Sequence, residues 1–564
     1  MINKFFTAIC LLSTCFSVVK AQTLPVGSVA VEDYYRRNQL LGKADSSVSF
    51  MVRPVFPKSI SDGLYTDPNG QINGKSTNQL YGTQDSKASI VLLPVSMQNQ
   101  INSHHAYGWN DGAMIPAKGL QTLISGGIFA KYGALSVQLK PEFVTAANSY
   151  FETFNKDHYD VIFARYYDFY NNIDLPVKFG TQSYTRVYWG QSSIRLNYKS
   201  LSFGVSTENL WWGPGLRNSL LMSNSAPGFP HLTFNTTQPI KTGIGSFEGQ
   251  LIAGRLVGSG FAPLYPDNKA YFGVNLYNPK PNLWRYLSGI VLTWQPKWVP
   301  GLFLGYSQSA QSYGKDLSGI KDYLPFFSAI KSINAQDVST NKRDTRNSMF
   351  ARWLWPEEHA EVYFEFGRNN YTGDLRQVLL QPDASRAYIF GLRKLIVTDK
   401  ANSAGILISA EATQMQETSV DNILDGLGWY INKNIRQGYT YKGESLGAGI
   451  GPGANLQSLD VSWVRGLKRL GLQLERYAHN NDFYYYAYID TQDWRRHWVD
   501  LSLALSGEWD YKNFIFNGKL QGIQSLNYQW YLDPTLNRNP GDPYYVSGIN
   551  KFNLQIQAGL TYRF

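Results

Sequence analysis

Over the last thirteen residues apolar and polar positions alternate. Phe552, Leu554, Ile556, Ala558, Leu560, Tyr562 and Phe564 fall on one face, and Asn553, Gln555, Gln557, Thr561 and Arg563 on the other. A period of two marks a strand with one face in an apolar medium and the other in a polar one. The pattern recurs upstream in pairs joined by short polar turns. Ile194, Leu196 and Tyr198 pass through Lys199-Ser200 to Leu201, Phe203 and Val205; Leu459, Val461 and Trp463 pass through Arg465-Gly466-Leu467-Lys468 to Leu470, Leu472 and Leu474. Leu501, Leu503 and Leu505 return through Asp510 to Asn513 into Phe514 and Phe516.

Read along the whole chain, the alternation predicts strands over 87–95, 120–131, 134–146, 192–198, 201–208, 246–258, 269–277, 287–295 and 301–310. A second half follows over 347–355, 360–369, 386–397, 403–415, 458–465, 468–477, 498–507, 514–530 and 552–564, eighteen in all. An even count places both ends of a barrel at one rim, the periplasmic one, with tight turns there and long loops on the outer side. The expected extracellular connections are 147–191, 209–245, 311–346, 416–457, 478–497 and 531–551. The fold class expected is therefore all-β: an 18-stranded antiparallel transmembrane β-barrel over 87–564.

Ahead of the barrel, Val31, Tyr34, Tyr35, Asn38 and Leu41 recur at helical spacing, with Glu32 and Asp33 early and Gly42 as a stop. This predicts a short N-terminal periplasmic helical segment that plugs or braces the lower mouth. Residues 46–86 are polar and carry Pro54, Pro57 and Pro68, so 22–86 reads as helix plus linker.

The first twenty-one residues set the compartment. Lys4 precedes the apolar run Phe5 to Val19, and Val19-Lys20-Ala21 offers a cleavage site before Gln22, so 1–21 reads as a signal peptide. A rival reading takes Leu12-Ser13-Thr14-Cys15 as a lipobox, with Cys15 lipidated. Both cysteines, Cys10 and Cys15, lie in this segment; cleavage after Ala21 removes every thiol and with it disulfides, thiolate metal sites and cysteine nucleophiles. The composition agrees with a barrel. There are 38 Tyr and 15 Trp, yet mean hydropathy is only -0.29, and after Ala21 no run approaches the ~20 apolar residues of a spanning helix. The formal net charge of +10 loses only Lys4 and Lys20 on processing. A basic excess suits an acidic polymer or anionic headgroups.

A barrel this wide leaves a lumen unless something fills it. The expected filler is an inward-folding Trp/Gly/Pro-rich loop within 209–245, which holds Trp211-Trp212-Gly213-Pro214-Gly215, Arg217-Asn218-Ser219 and Asn224-Ser225-Ala226-Pro227-Gly228-Phe229-Pro230-His231. Such a run neither spans lipid nor forms a helix.

Here the chain resembles the capsule assembly Wzi family. The resemblance rests on this block with Thr233 to Ile240 and Gly245-Ser246-Phe247-Glu248-Gly249-Gln250, on Asp174-Leu175-Pro176 with Phe179-Gly180, and on Gly190-Gln191-Ser192-Ser193-Ile194-Arg195. Further matches are Glu475-Arg476-Tyr477, His479-Asn480-Asn481-Asp482, His497-Trp498-Val499-Asp500, and the opening Glu32-Asp33-Tyr34 to Gly42 with Ser49-Phe50 and Arg53-Pro54. It implies an eighteen-stranded outer-membrane barrel with a periplasmic helical element and a lectin-like role in attaching capsular polysaccharide. It does not identify the glycan.

Sugars stack apolar C–H faces on aromatic rings and pair hydroxyls with polar side chains. Two groups offer both. The first is Trp211, Trp212, Asn218 and Asn224 in the plug-like loop; the second, at the expected outer mouth, is Glu475, His479, Asn480, Asp482, Trp494, Arg495, Arg496 and Asp500. The first group equally suits packing inside the lumen, and rim aromatics equally suit a membrane girdle.

Catalytic and metal readings are weak. Gly443-Glu444-Ser445-Leu446-Gly447 has the nucleophile-elbow pattern but sits in a Gly-rich loop, not at a strand-to-helix turn. Glu361 and Glu365 lie about 13 Å apart on one strand, beyond the ~5 to 9.5 Å of paired glycosidase carboxylates, and read as lumen charges set against Arg352 and Arg195. His104 and His105 lack metal spacing. The expected partners are an acidic capsular or exopolysaccharide, outer-membrane lipid and lipopolysaccharide, and the barrel assembly machinery during biogenesis. No cofactor, metal or nucleic acid is expected. A porin or gated oligosaccharide channel is the alternative, and a barrel-embedded hydrolase a distant third.

Overall fold

The computed structural model describes residues 22–56, 79–85, 87–156, 158–269, 273–323, 342–369, 385–401, 403–417, 428–489, 496–531 and 548–564. The expected signal peptide, with Cys10 and Cys15, and most of the linker lie outside the described residues.

Eighteen strands close into one antiparallel barrel. They are β1 Ala88–Asn102, β2 Gly119–Tyr132, β3 in two pieces (Leu135–Leu139, Glu142–Ala146), β4 in two pieces (Tyr184–Tyr188, Ser193–Tyr198), β5 Leu201–Ser206 and β6 His231–Thr236. Next come β7 Gly245–Leu256, β8 Arg285–Pro296, β9 Leu302–Tyr313, β10 Asp344–Trp355, β11 Ala360–Asn369 and β12 Arg386–Asp399. The last six are β13 Ala404–Gln414, β14 Asn455–Arg465, β15 Lys468–Ala478, β16 Val499–Tyr511, β17 Phe514–Leu526 and β18 Lys551–Tyr562. Closure is the pairing of β18 with β1, from Gln555 opposite Asn102 to Tyr562 opposite Val95. No helix among the described residues is long and apolar enough to cross a membrane.

The count of eighteen hides two offsetting corrections. Residues 269–277, expected as a strand, belong to the long connection 257–284, where Lys269 and Asn275 meet only in an isolated bridge, and 270–272 are outside the described residues. The missing strand is β6, which the sequence reading had included in the plug-like loop 209–245. It pairs β5 on one side and β7 on the other. Leu232 and Phe234 point outward while His231, Thr233 and Asn235 are buried inside. Only two outward apolar residues next to a Gly/Pro block made it look like loop. The inward segment is therefore 207–230, and the hairpin 237–244 joins the tight-turn rim.

Local chemistry explains the irregularities. Pro141 has no N–H for the ladder, and β3 breaks there. Pro94 sits at a register shift between Leu93 and Ser96, beyond which β1 continues through the doubly polar run Gln98-Asn99-Gln100 to Asn102. A strand polar on both faces loses its period-two signal, so the expected end at 95 fell short. Outward faces expose Leu, Ile, Val and Phe, as at Leu501, Leu503 and Leu505, and aromatic residues such as Tyr132, Trp298 and Tyr511 gather at the turn rim. This is the girdled apolar band of a lipid-facing wall.

The helix expected near the N-terminus is α1, Val29–Leu40. Its residues from Tyr34 to Leu40 are buried in the turn-side mouth. The Glu361 carboxylate on β11 accepts from Arg36 Nε at 2.7 Å and from Arg352, with Arg393 at 3.7 Å. Asp33 pairs with Arg37 at 2.7 Å and with Arg393, and Arg37 donates to Gly466 O at 2.8 Å. The expected partnership of these glutamates with Arg195 is not present. Arg195 pairs with Glu208 at 2.6 Å, and Glu365 accepts from Ser348 Oγ at 2.9 Å.

Two outcomes follow. Glu361→Gln leaves three buried guanidinium groups short of a counter-charge and should cost roughly 3–5 kcal/mol of barrel stability, read as a lower unfolding midpoint in urea, whereas Glu365→Gln, which has no cation partner among the described residues to orphan, should move the midpoint much less. Replacing both Tyr562 and Phe564 by Asp should prevent closure, because an open edge in lipid strands unpaired backbone groups. Heat-modifiable mobility should then disappear on gels.

Candidate glycan site

The plug-like loop is held by main-chain pairing and by carboxylates on the wall. Trp211–Trp212 forms a two-residue ribbon with Val52–Arg53, tying the loop to the N-terminal segment. Glu411 on β13 accepts the backbone N–H groups of Leu216 (2.6 Å), Arg217 (3.1 Å) and Asn218 (3.0 Å), and the Tyr363 hydroxyl at 2.8 Å. A nest of N–H groups around an anion is strong, directional fastening.

Each of the four plug candidates is buried. Trp212 has no exposure and donates Nε1–H to Gln250 Oε1 at 2.9 Å. Its ring packs on Gly289, where a Cβ would come within 2.6 Å of it, so β8 needs glycine at that point. Arg53 lies over the Trp211 ring at 4.6 Å. Asn218 donates to Thr413 Oγ1 at 3.1 Å, and Asn224 donates to Asn110 O at 2.9 Å while accepting from Asn209 at 2.7 Å. These side chains build the plug's interior.

Within the second group, Glu475, His479, Asn480, Asp482, Arg496 and Asp500 are brought together at the loop rim, while Trp494 and Arg495 lie outside the described residues. Glu475 receives Arg217 Nε at 2.8 Å and so locks the plug to β15. His479 stacks on Trp498 with ring centroids 3.5 Å apart, and its Nε2 lies 2.7 Å from Asp500 Oδ2. Asp500 also accepts from Trp498 Nε1 at 3.0 Å. Asn480 caps the helix Asn481–Ala487 by accepting from Phe483 N at 3.1 Å, and the Arg496 N–H donates to the Tyr484 hydroxyl at 2.8 Å. Asp482 accepts from Glu417 N at 2.9 Å, and burial pushes its carboxyl up to about 7. Glu475, Arg496 and Asp500 are almost wholly buried. The cluster fixes the loops from beneath.

The face above it comes from two short helices, α2 Asp160–Tyr170 and α3 Asn481–Ala487. They pack through an aromatic core in which Phe154 stacks on Tyr166 at 4.9 Å and Phe483 meets Trp530 edge-on at 5.0 Å. On the outside, Arg165 lies over the Tyr486 ring at 5.4 Å and donates to Tyr486 O at 3.0 Å, and the Tyr486 hydroxyl donates to Asp168 Oδ2 at 2.8 Å. Tyr486 is 49% exposed and Tyr159 44%, and Val161 and Ile489 are also exposed. The sequence reading missed α2. Its signal was present: Ile162, Phe163, Tyr166, Tyr167 and Phe169 are buried at helical spacing.

The fold and rim define a class: a lipid-spanning β-barrel whose lumen is plugged from both ends and whose loop rim carries a helical, aromatic and charged cap. The family model described as capsule assembly protein Wzi matches residues 120–515, and the chain belongs to that family. It is an outer-membrane β-barrel protein. Among solved structures it is similar to Wzi of Escherichia coli, described as an outer membrane protein involved in group 1 capsule assembly and a carbohydrate-binding β-barrel, at 12% identity and a TM-score of 0.58, over 96% of this chain and 100% of that one. OccAB2 of Acinetobacter baumannii matches at 10% identity and a TM-score of 0.40, over 84% of this chain and 98% of that one. OpdL of Pseudomonas aeruginosa matches at 10% identity and a TM-score of 0.38, over 84% and 98%. No curated protein matches the chain by sequence.

The raised Asp482 carboxyl has a signed consequence. Because it binds its proton more tightly folded than unfolded, α3 docking is strongest at low pH and weakens as pH rises from about 3.8 through about 7. Hydrogen-exchange protection across Asn481–Ala487, taken relative to the base-catalysed rate of a free amide at each pH, should therefore be weaker at pH 8 than at pH 6, and Asp482→Asn should flatten that difference.

Proposed function

We propose that this chain binds a surface polysaccharide at its loop rim and holds it at the outer membrane. The carrying observation is the Tyr486–Arg165–Asp168 platform: an exposed ring for stacking on sugar C–H faces, with a cation and a carboxylate at hand for hydroxyls. Family membership and the likeness to a carbohydrate-binding barrel of Escherichia coli support the same reading. The plug beneath the platform favours a holding surface over an open pore.

In this reading the chain is exported through residues 1–21 with cleavage before Gln22, the turn rim faces the periplasm, and the loop rim faces outward. The basic excess favours an acidic polymer. The role is non-catalytic: Ser445 of the elbow-like pattern sits in a buried two-residue ribbon, Thr440–Tyr441 against Glu444–Ser445, with no helix following it.

The test is polysaccharide retained on cells against polysaccharide shed to the medium. Combining Tyr486→Ala with Arg165→Ala should release most of the polymer at unchanged levels of heat-modifiable barrel, and wild-type retention should fall as salt screens attraction beyond about 8 Å. Undiminished retention by the double variant would remove the platform from the site and direct attention to Trp494 and Arg496. Large conductance from the reconstituted wild-type protein would favour a channel instead.

A further inference from the structure

The plug is eccentric. Three of its fastenings, Arg36 to Glu361, Trp212 to Gln250 and the Leu216–Asn218 turn to Glu411, fall on β7, β11 and β13, and Arg217 to Glu475 ties its edge to β15. Beside the plug, β12 to β18 line a cavity of ≈ 340 Å³. It runs from the turn side past mid-height, to Ser458 and Gln555 in the loop-side halves of β14 and β18. Downward it reaches Arg469, one residue beyond the start of β15, and upward it ends under Trp109 and Arg217. Val29 and Gly27 line it and are exposed, so solvent reaches it past the start of α1.

The lining has the chemistry of a polyol site. The barrel side presents neutral amides, Gln473, Asn517, Gln555 and Gln557. Trp109 Nε1, Trp211 Nε1 and Arg53 Nε are buried donors with no hydrogen-bond partner among the described residues, and Glu32 Oε1 and, on β16, Glu508 Oε2 are acceptors in the same condition; Arg36 Nη2, Tyr107 Oη and Arg393 Nη1 on the lining share it. A buried donor or acceptor left unpaired is costly, so eight on one lining favour an occupant that both donates and accepts at several points. An apolar occupant would leave them unpaired.

Charge disfavours an ionic one. Most cations on the lining are already paired: Arg469 with Asp460 at 2.8 Å, Arg217 with Glu475 at 2.8 Å, and Arg53 with Glu32 at 3.5 Å. Lys519 interacts electrostatically with Asp111 across the space, and burial raises the Asp111 carboxyl to about 7, as expected where no ion pair holds it charged. The volume falls in the ~300–1,000 Å³ range of small-molecule sites.

We infer that this cleft is a second carbohydrate site, entered from the turn rim and shaped for one uncharged sugar ring or a short neutral saccharide. It stands independently of the loop-rim reading, since no residue of the Tyr486 platform touches it.

The test places a reporter on the cleft wall with Ser506→Cys, a near-isosteric change at a lining residue. In full-length protein purified in detergent, with the unsubstituted protein as background, the thiol should react with a maleimide. Glucose or N-acetylglucosamine at millimolar concentration should slow that reaction several-fold and saturably, and sodium sulfate should not. Trp211→Phe, which keeps an aromatic ring and removes the N–H, should weaken the protection while the barrel remains heat-modifiable. Calorimetric titration of the unsubstituted protein with the same two sugars gives an independent reading. An unreactive thiol, a rate unchanged by either sugar together with no calorimetric heat, or equal protection by sulfate would overturn the inference. Failure of polysaccharide retention in the Tyr486 and Arg165 variant would leave the cleft protection intact, so the two sites fail separately.

Discussion

Inside a bilayer no water is available to an N–H or a C=O, so a sheet that crosses it must leave no edge. Here that requirement falls on eight residue pairs between β18 and β1. Closure of this seam fixes the diameter, and the diameter creates the second problem, an interior too wide for inward side chains alone to fill. The chain fills it from two directions, with α1 from the turn side and 207–230 from the loop side. The stretch that follows α1 meets the second segment in the Val52–Arg53 and Trp211–Trp212 ribbon.

The filling is electrostatic to a degree unusual for an interior. Arg36, Arg195, Arg285, Arg346, Arg352 and Arg393 are almost entirely removed from solvent. Burying so many guanidinium groups is tolerable because each is forked and reaches carboxylates or main-chain carbonyls at fixed geometry. Arg285, for example, donates to Gly438 O at 2.6 Å and Thr440 O at 2.7 Å, which pins the long connection 415–454 to the wall. Ion pairs of this kind give the plug one position, where a purely apolar filling would allow sliding.

The same inversion decides what the sequence could disclose. Alternation is loud wherever lipid faces one side, so β14 to β18 were legible from Leu459 to Phe564. It fades where a strand is short or polar on both faces, as in β6 and the far half of β1. Site residues were harder for a deeper reason. In a soluble protein a polar side chain is usually outside, but within a barrel polarity marks the inside. Glu475 and Asp500 therefore carried the signature of contact residues while serving as internal struts, and Trp211 and Trp212 likewise belong to the plug. The exposed platform depended on α2, whose helical spacing lay in a connection read only as loop. Tyr486 and Arg165 are 321 positions apart and meet only once the wall is closed.

The placement of α1 also bears on how the molecule is made. Its side chains reach Glu361, Arg393 and Gly466, hundreds of positions downstream, yet it precedes every strand in the chain. A helix carrying two buried arginines cannot be pushed into a finished cylinder through the mouth it sits in without first shedding those partners. The economical order is enclosure: the strands assemble around the leading segment while the wall is still open, and the joining of β18 to β1 shuts it in. The N-terminal segment then acts as a mandrel, and the final circumference is set partly by what the sheet has been wrapped around.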